Sequence, residues 1–257
     1  MRDGTRVLIT GSSRGIGAAI ALRAGVYGAR VVINFRTNAD AAATTADLVR
    51  RAGGEAIAIR ADVRDASQVR AMLRHVEEQF GGLDVLVNNA YSPFEPTPFE
   101  ALSWDAVETQ ITGSVRTCFH CIQAALPNLR CGNAPSILNI SSITVRQPVP
   151  GFAHRNLAKA AVEGLTRSLA IELSPLGIRV NALAVGWTRT EQLSDMPAGI
   201  VAAAVAAIPL SRLATPEEIA ETAVFLVSPA ASYITGTVMP VAGGLSPDPI
   251  LGAGEIP

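Results

Sequence analysis

The segment Ala153-His154-Arg155-Asn156-Leu157-Ala158-Lys159 sets two cations four residues apart, a spacing that puts both on one face of a helix. Lys159 is the only lysine among 21 basic side chains. A paired cation of this kind attracts an anionic ligand, or an oxyanion that develops during a reaction. Arg155 is a strong donor and a fixed charge, but a guanidinium keeps its proton to above about pH 12 and so shuttles protons poorly. A second group lies in Thr10 to Gly17, TGSSRGIG, where Gly11, Gly15 and Gly17 would let backbone approach a pyrophosphate. The positive end of the following helix would favour that charge. Arg14 in this turn and Arg36 in INFRTN flank the place where a dinucleotide's adenosine ribose would lie. No carboxylate ends the second strand to receive the ribose hydroxyls, and arginines suit a 2′-phosphate there.

These groups need a sheet to position them. The runs RVLIT, RVVINF, EAIAIRA, LDVLVNN, SILNIS and IRVNALA read as strands and alternate with helical patterns over 15–28, 39–52, 66–80, 103–126 and 155–173. The alternation predicts an α/β, doubly wound Rossmann-type parallel sheet of about seven strands with helices on both faces. Thr215 and Pro216 start a late helix as N-cap and first residue, and GTVMPVAGG supplies the last strand. No linker or repeat divides residues 1–257, so one domain is expected, with a substrate lid at 191–209.

Composition narrows the function classes. With 21 basic against 22 acidic residues, the net charge of −1 gives no electrostatic reason to expect nucleic acid or a membrane surface as partner. No signal peptide or membrane span is read, and three cysteines are an odd number for a disulfide framework, so the chain reads as cytoplasmic. Cys118, His120 and Cys121 fall in an apolar helical run where thiols pack in a core, and with Cys131 they are not expected to hold a metal.

The spacing Gly-x-x-x-Gly-x-Gly, with Asn-Asn-Ala at 88–90 and the stretch from Ser-Ser at 141–142 to Lys159, resembles the short-chain dehydrogenase/reductase family. The resemblance runs from about Thr5 to Gly244 and includes ADV at 61–63, GW at 186–187, PEEIA at 216–220 and SYITG at 232–236. It implies a phosphate turn formed by Gly11, Ser13, Arg14, Ile16 and Gly17. It further implies adenine contacts from Asp62 and Val63, a cofactor cleft lined by Asn88 and Ala90, and a nicotinamide carboxamide beside Gly186, Thr188 and Thr190. Lys159 takes the place of the lysine that bonds the nicotinamide ribose. The family usually has proline where this chain has Val185.

The family's reaction uses an asparagine on the long middle helix, a serine after the fifth strand and a tyrosine four residues before the lysine. Ser142 matches the serine, Gln110 in TQITG takes the asparagine position, and Arg155 stands where the tyrosine belongs. Tyr91, directly after the fourth strand, is the best substitute donor. Tyr27 reads as part of the first helix, Tyr233 as structural and His154 as a surface histidine. Together with Arg14 and Arg36, these readings predict an NADPH (NADP)-dependent reductase of a small, partly apolar carbonyl or enone substrate, which Arg155 would suit if anionic. Cys118, Phe119, Ile122 and Leu126, with Leu157, Ala161 and Leu165, offer apolar surface for a homotetramer or homodimer. Two other readings stay open: a non-redox dehydratase or cyclase in specialised metabolism, with Arg155 gripping an acidic substrate, and a cofactor-binding protein without catalysis.

Overall fold

Seven parallel strands form one sheet in the order β3-β2-β1-β4-β5-β6-β7 in a computed structural model that describes residues 1–194, 196 and 198–245. Chain order runs β1 (Arg6–Ile9), α1 (Gly15–Val26), β2 (Arg30–Phe35), α2 (Ala39–Arg51), β3 (Glu55–Arg60), α3 (Ala66–Phe80) and β4 (Val85–Asn88). It continues α4 (Trp104–Ile111), α5 (Thr117–Arg130), β5 (Ser136–Ser142), α6 (Ala153–Leu173), β6 (Arg179–Val185), α7 (Glu191–Ser194), α8 (Ala198–Ala207), α9 (Pro216–Val227) and β7 (Val238–Val241). Of the lid stretch 191–209, residues 195 and 197 lie outside the described residues, as do residues 246–257 at the end of the single-domain reading.

Strand alternation explains the two layers. Val7 and Ile9 of β1, with Ile33, Val85 and Val87, face α1, α2 and α9, whereas Leu8, Val32 and Leu86 face α3, α5 and α6. A strand buried on both faces is apolar along its length, as Val85–Val87 of β4 and Val31–Ile33 of β2 are. Because β1 lies between β2 and β4, the strand order reverses there. Crossovers then leave on opposite sides and a crevice opens at the carboxyl ends.

The helical pattern over 103–126 is realised with a defect. Thr112–Arg116 form a π turn between α4 and α5. A Cβ on Gly113 would stand 2.7 Å from the Ser92 backbone nitrogen, so only glycine allows this close approach. The Thr117 hydroxyl donates to the carbonyls of Gly113 and Ser114, occupying oxygens that the wider turn disturbs. The helix α5 also continues through Pro127 to Arg130, past the expected end at 126.

The helix that carries the two cations begins at Ala153, two residues before its expected start, and His154 is 3% exposed. His154 is therefore a buried histidine, not a surface one. Its ring meets Phe94 edge-on, which the residue's polarity alone did not suggest. Among the described residues no helix is long and apolar enough to cross a membrane.

Candidate active site

A cavity of about 560 Å³ opens at the carboxyl edge of β1, β4, β5 and β6. Its floor is the turn from β1 to α1. Gly11 and Gly15 have φ of +60° and +56°, which glycine adopts without the Cβ penalty. The N-cap of α1, Arg14, makes no side-chain cap bond and the first turn contains no acid, so the positive helix end is left to whatever enters the cavity. Ser13, Arg14 and Ile16 line the cavity with Gly11. Gly17 stands behind them. A Cβ there would lie 2.6 Å from Asn89 Nδ2 and 2.7 Å from the Gly11 oxygen.

Arg36, Thr37, Asn38, Asp62, Val63 and Arg64 line the outer end. The carboxylate of Asp62 is engaged by the Arg64 guanidinium at 2.6 and 2.9 Å, and the Arg64 side-chain bond holds its carboxyl below the usual range. Arg14 pairs with Glu191 at 2.9 Å across the cavity mouth, both side chains being mostly exposed. Ala90 lines the cavity. Asn88 does not: its amide donates to Asn139 Oδ1 in the core, and of this adjacent pair it is Asn89 that lines the cavity, donating to the carbonyls of Thr10 and Gly11. Side chains alternate along a strand, so the two adjacent asparagines serve opposite sides.

The inner end holds Arg155 and Lys159. The Arg155 guanidinium carbon lies 4.8 Å from the centre of the Phe94 ring, within cation–π range. It lines the cavity and does not swing out to solvent. Burial pulls its pKa down to about 10, with the neighbouring Tyr91 acting the other way, so it stays charged near neutrality. Tyr91 lines the same cavity, and burial of its hydroxyl raises its pKa against the pull of Arg155 and Arg14. Lys159 Nζ donates to the Ile140 carbonyl at 2.7 Å. Burial first, and Arg155 second, lower its pKa to about 8.

Ser142 closes this end from β5. Its hydroxyl lies 2.9 Å from the Thr144 hydroxyl. When Thr144 donates, the Ser142 proton is free for a ligand oxygen. Phe152, Trp187, Leu193 and Met196 complete an apolar wall, and Gly186, Thr188 and Thr190 line the side below it. The first part of the lid stretch, Glu191, Leu193 and Met196, thus borders the cavity, whereas Ile208 beyond α8 packs toward Gly243.

Gln110 is placed differently from its sequence reading. Its side chain is buried and donates to the carbonyls of Ser92 and Pro93, and the helical residues that reach the cavity are Gly113 and Thr117. Gln110 was assigned from its place in TQITG, which does not show the π turn at Thr112–Arg116 that sets the facing of the residues after it. Gln110 tethers the loop that carries Phe94, the ring beneath Arg155. Sequence reading also missed Thr144, Phe94, Phe152 and Trp187. Only Trp187 sat in a quoted motif, and the other three had no local signal. Cys118 and Cys121 pack in the core, and burial raises both thiols.

Residues 11–246 match a family model described as enoyl-(acyl carrier protein) reductase. The chain is 37% identical over 240 residues to a 3-oxoacyl-[acyl-carrier-protein] reductase, FabG, of Staphylococcus aureus, covering 93% of this chain and 96% of that one. Among solved structures it is similar to a 7α-hydroxysteroid dehydrogenase complexed with NADH and 7-oxo glycochenodeoxycholic acid, with TM-score 0.89, 33% identity and 94% of each chain covered. It is also similar to a short chain dehydrogenase from Burkholderia cenocepacia in complex with NADP, with TM-score 0.86, 34% identity and coverage of 94% and 98%.

Proposed function

This chain belongs to the short-chain dehydrogenase/reductase family of oxidoreductases, and from that premise we propose that it is an NADPH-dependent reductase of a small, partly apolar carbonyl or enone substrate, working in the cytoplasm. The observation that carries this reading is the position of Arg155: inside the cavity, stacked on Phe94, four residues before Lys159. There it can stabilise negative charge on a substrate oxygen but cannot readily deliver a proton.

The cavity suits the cofactor. The uncapped start of α1, on a turn that Gly11 and Gly15 hold at positive φ, makes a cradle for a pyrophosphate. Ser13, Arg14 and Ile16 would hold the phosphates, Asp62, Val63 and Ala90 the adenosine, and Lys159, Gly186, Thr188 and Thr190 the nicotinamide riboside. NADPH, when bound, supplies a hydride. Ser142 and Arg155 would orient the acceptor oxygen, and Glu191, Leu193 and Met196 would exclude water as the lid. Purified protein should consume NADPH with an enone or its matched ketone. Cofactor binding without consumption of NADPH by either would favour the dehydratase or cyclase reading.

Arg36 and the N-cap residue Asn38 line the end where a 2′-phosphate would lie, and Arg14 becomes available once Glu191 releases it. We therefore expect NADPH to bind at least tenfold more tightly than NADH, about 1.4 kcal/mol. Calorimetric titration measures this. Equal affinities, or a preference undiminished in Arg36→Ala, would reject it.

A proton should accompany the cofactor. As an ammonium, Lys159 has three donors, one of them spent on Ile140, so two remain for ribose hydroxyls. Its pKa of about 8 in the free protein means that this form is lost as pH rises through 8. Binding that needs the ammonium raises the pKa. Affinity for NADPH should then fall above pH 8, with proton uptake visible as a buffer-dependent binding enthalpy near pH 8. In Arg155→Gln the uptake should move to higher pH. The same enthalpy in all buffers would contradict this role.

For assembly, Cys118 and Ile122 are already buried within the chain, and so are not available as interface residues. Phe119 and Leu157 are each 50% exposed, on α5 and α6, and we propose that they cover one another's copies in a homodimer or homotetramer. Light scattering should show the assembly, and Phe119→Glu with Leu157→Glu should reduce it to monomers.

A further inference from the structure

We propose that the substrate carries a carboxylate, and that Arg155 receives it against the face of Phe94. This rests on the reductase reading and adds the class of molecule reduced. Its basis is an unbalanced charge. Arg155 and Lys159 share one cavity, and the contacts of Lys159 and Arg155 there are a backbone carbonyl and a ring face. Among the described residues, the two acids that line the cavity and the buried Glu163 are committed elsewhere. Asp62 is held by Arg64, Glu191 by Arg14, and the buried Glu163 by Ser141 and Arg167. Among the described residues no carboxylate pairs with Arg155.

A cation withdrawn from water without a counter-ion is costly, and the geometry persists only where something answers the charge. A ring face answers part of it. An anionic ligand answers the rest. The surroundings decide which anion. Phosphate has its own place at the other end, with the start of α1, Arg14 and Arg36. Beside the Phe94 ring that carries Arg155 are Phe152, at 4.9 Å, and then Trp187, 6.2 Å from Phe152, which fit an apolar body bearing one planar anionic group. A guanidinium fork matches a carboxylate in that way.

Arg155 also has donors to spare. With five N–H groups, one edge can hold a carboxylate while another faces the reacting oxygen. That places the carboxylate within a few bonds of the carbon that is reduced, as in a short or cyclic oxo acid or its unsaturated counterpart.

The test is calorimetric titration of the NADP-saturated protein with phenylacetate and with its neutral isostere phenylacetamide. Phenylacetate should bind about tenfold or more tightly than the amide. The two should become nearly equal in Arg155→Gln, while Arg155→Lys, which keeps the charge, should retain part of the preference. Equal binding in the native protein, failure of phenylacetate to bind at millimolar concentration, or a preference undiminished in Arg155→Gln would overturn the proposal. NADPH consumption is read separately. Acid-over-amide preference without turnover keeps this site and removes the reductase reading, and turnover of neutral ketones without that preference does the reverse.

Discussion

Arg155→Ala is expected to lower kcat for reduction of an enone by about 100- to 1,000-fold, the loss typical of removing one well-placed oxyanion donor, about 3 to 4 kcal/mol. The reason lies in the product of hydride addition. A plain ketone becomes a strongly basic alkoxide, which needs a proton in step, whereas a conjugated enone becomes a delocalised enolate. An enolate needs a fixed positive charge more than it needs a proton. Arg155, half-buried over Phe94 and four residues from Lys159, supplies the charge, and Ser142, backed by Thr144 at 2.9 Å, supplies a second donor. A general acid typically contributes about 100- to 10,000-fold, so an electrostatic donor can replace it for an enone but not for a ketone. Arg155→Tyr should accordingly gain ketone reduction. The measurement is steady-state NADPH consumption with matched enones and saturated ketones. If only ketones are reduced and Tyr91→Phe removes that activity, Tyr91 is the donor and the account of Arg155 fails.

Anchoring and charge stabilisation leave different kinetic marks. A carboxylate held equally in ground and transition state appears in KM, while stabilisation of the developing oxyanion appears in kcat. Arg155→Lys separates the two roles, because an ammonium keeps the charge and loses the fork. A rise in KM with most of kcat retained would assign Arg155 mainly to the carboxylate. A fall in kcat alone would assign it to the reacting oxygen.

What could be read from the chain follows how local each feature is. The parallel sheet with helices on both faces was implied by strand runs that alternate with helical patterns, and apolar neighbours such as Val7, Leu8 and Ile9 each commit to one layer. The turn from β1 to α1 was legible because Gly11, Gly15 and Gly17 lie close together in sequence and their conformational demand is local. The π turn was not, since it exists through the contact of Gly113 with Ser92, 21 residues earlier. Gln110 and Asn88 were assigned from position in a motif, and each turned out to bond away from the cavity, to Ser92 and Pro93 and to Asn139. The aromatic wall draws on positions 94, 152 and 187, and the ion pair at the mouth joins Arg14 to Glu191 across 177 residues. Such pairs are made by the fold and leave no periodic trace.

The opposite edge of the sheet should behave differently under mutation. Asp84 precedes β4 and accepts from Arg6 Nε at 2.9 Å and Nη2 at 2.6 Å, from the Arg6 backbone at 2.9 Å and from the Asn133 backbone at 2.7 Å. Its side chain is 5% exposed and that of Arg6 is 20% exposed, so deleting the carboxylate strands a largely buried cation and the backbone N–H groups of Arg6 and Asn133. That costs about 3 kcal/mol, the lower end for a buried pair because Arg6 keeps some water. For a chain of this size Tm should fall by roughly 6 to 12 °C in Asp84→Ala. Catalysis should be spared, since the cavity lies at the other end of the strands, and kcat/KM measured well below Tm should stay within about twofold. Burial alone would raise the Asp84 carboxyl, but the Arg6 and Asn133 hydrogen bonds outweigh it and the net shift is downward. The folded pKa thus lies below the unfolded one, so this stabilisation is complete above the unfolded value near pH 4 and disappears as pH falls through the folded value. Asp84→Asn should therefore flatten the acid limb of the stability profile. A loss of less than about 2 °C, with an unchanged acid limb, would mean that the pair is worth no more than an exposed ion pair.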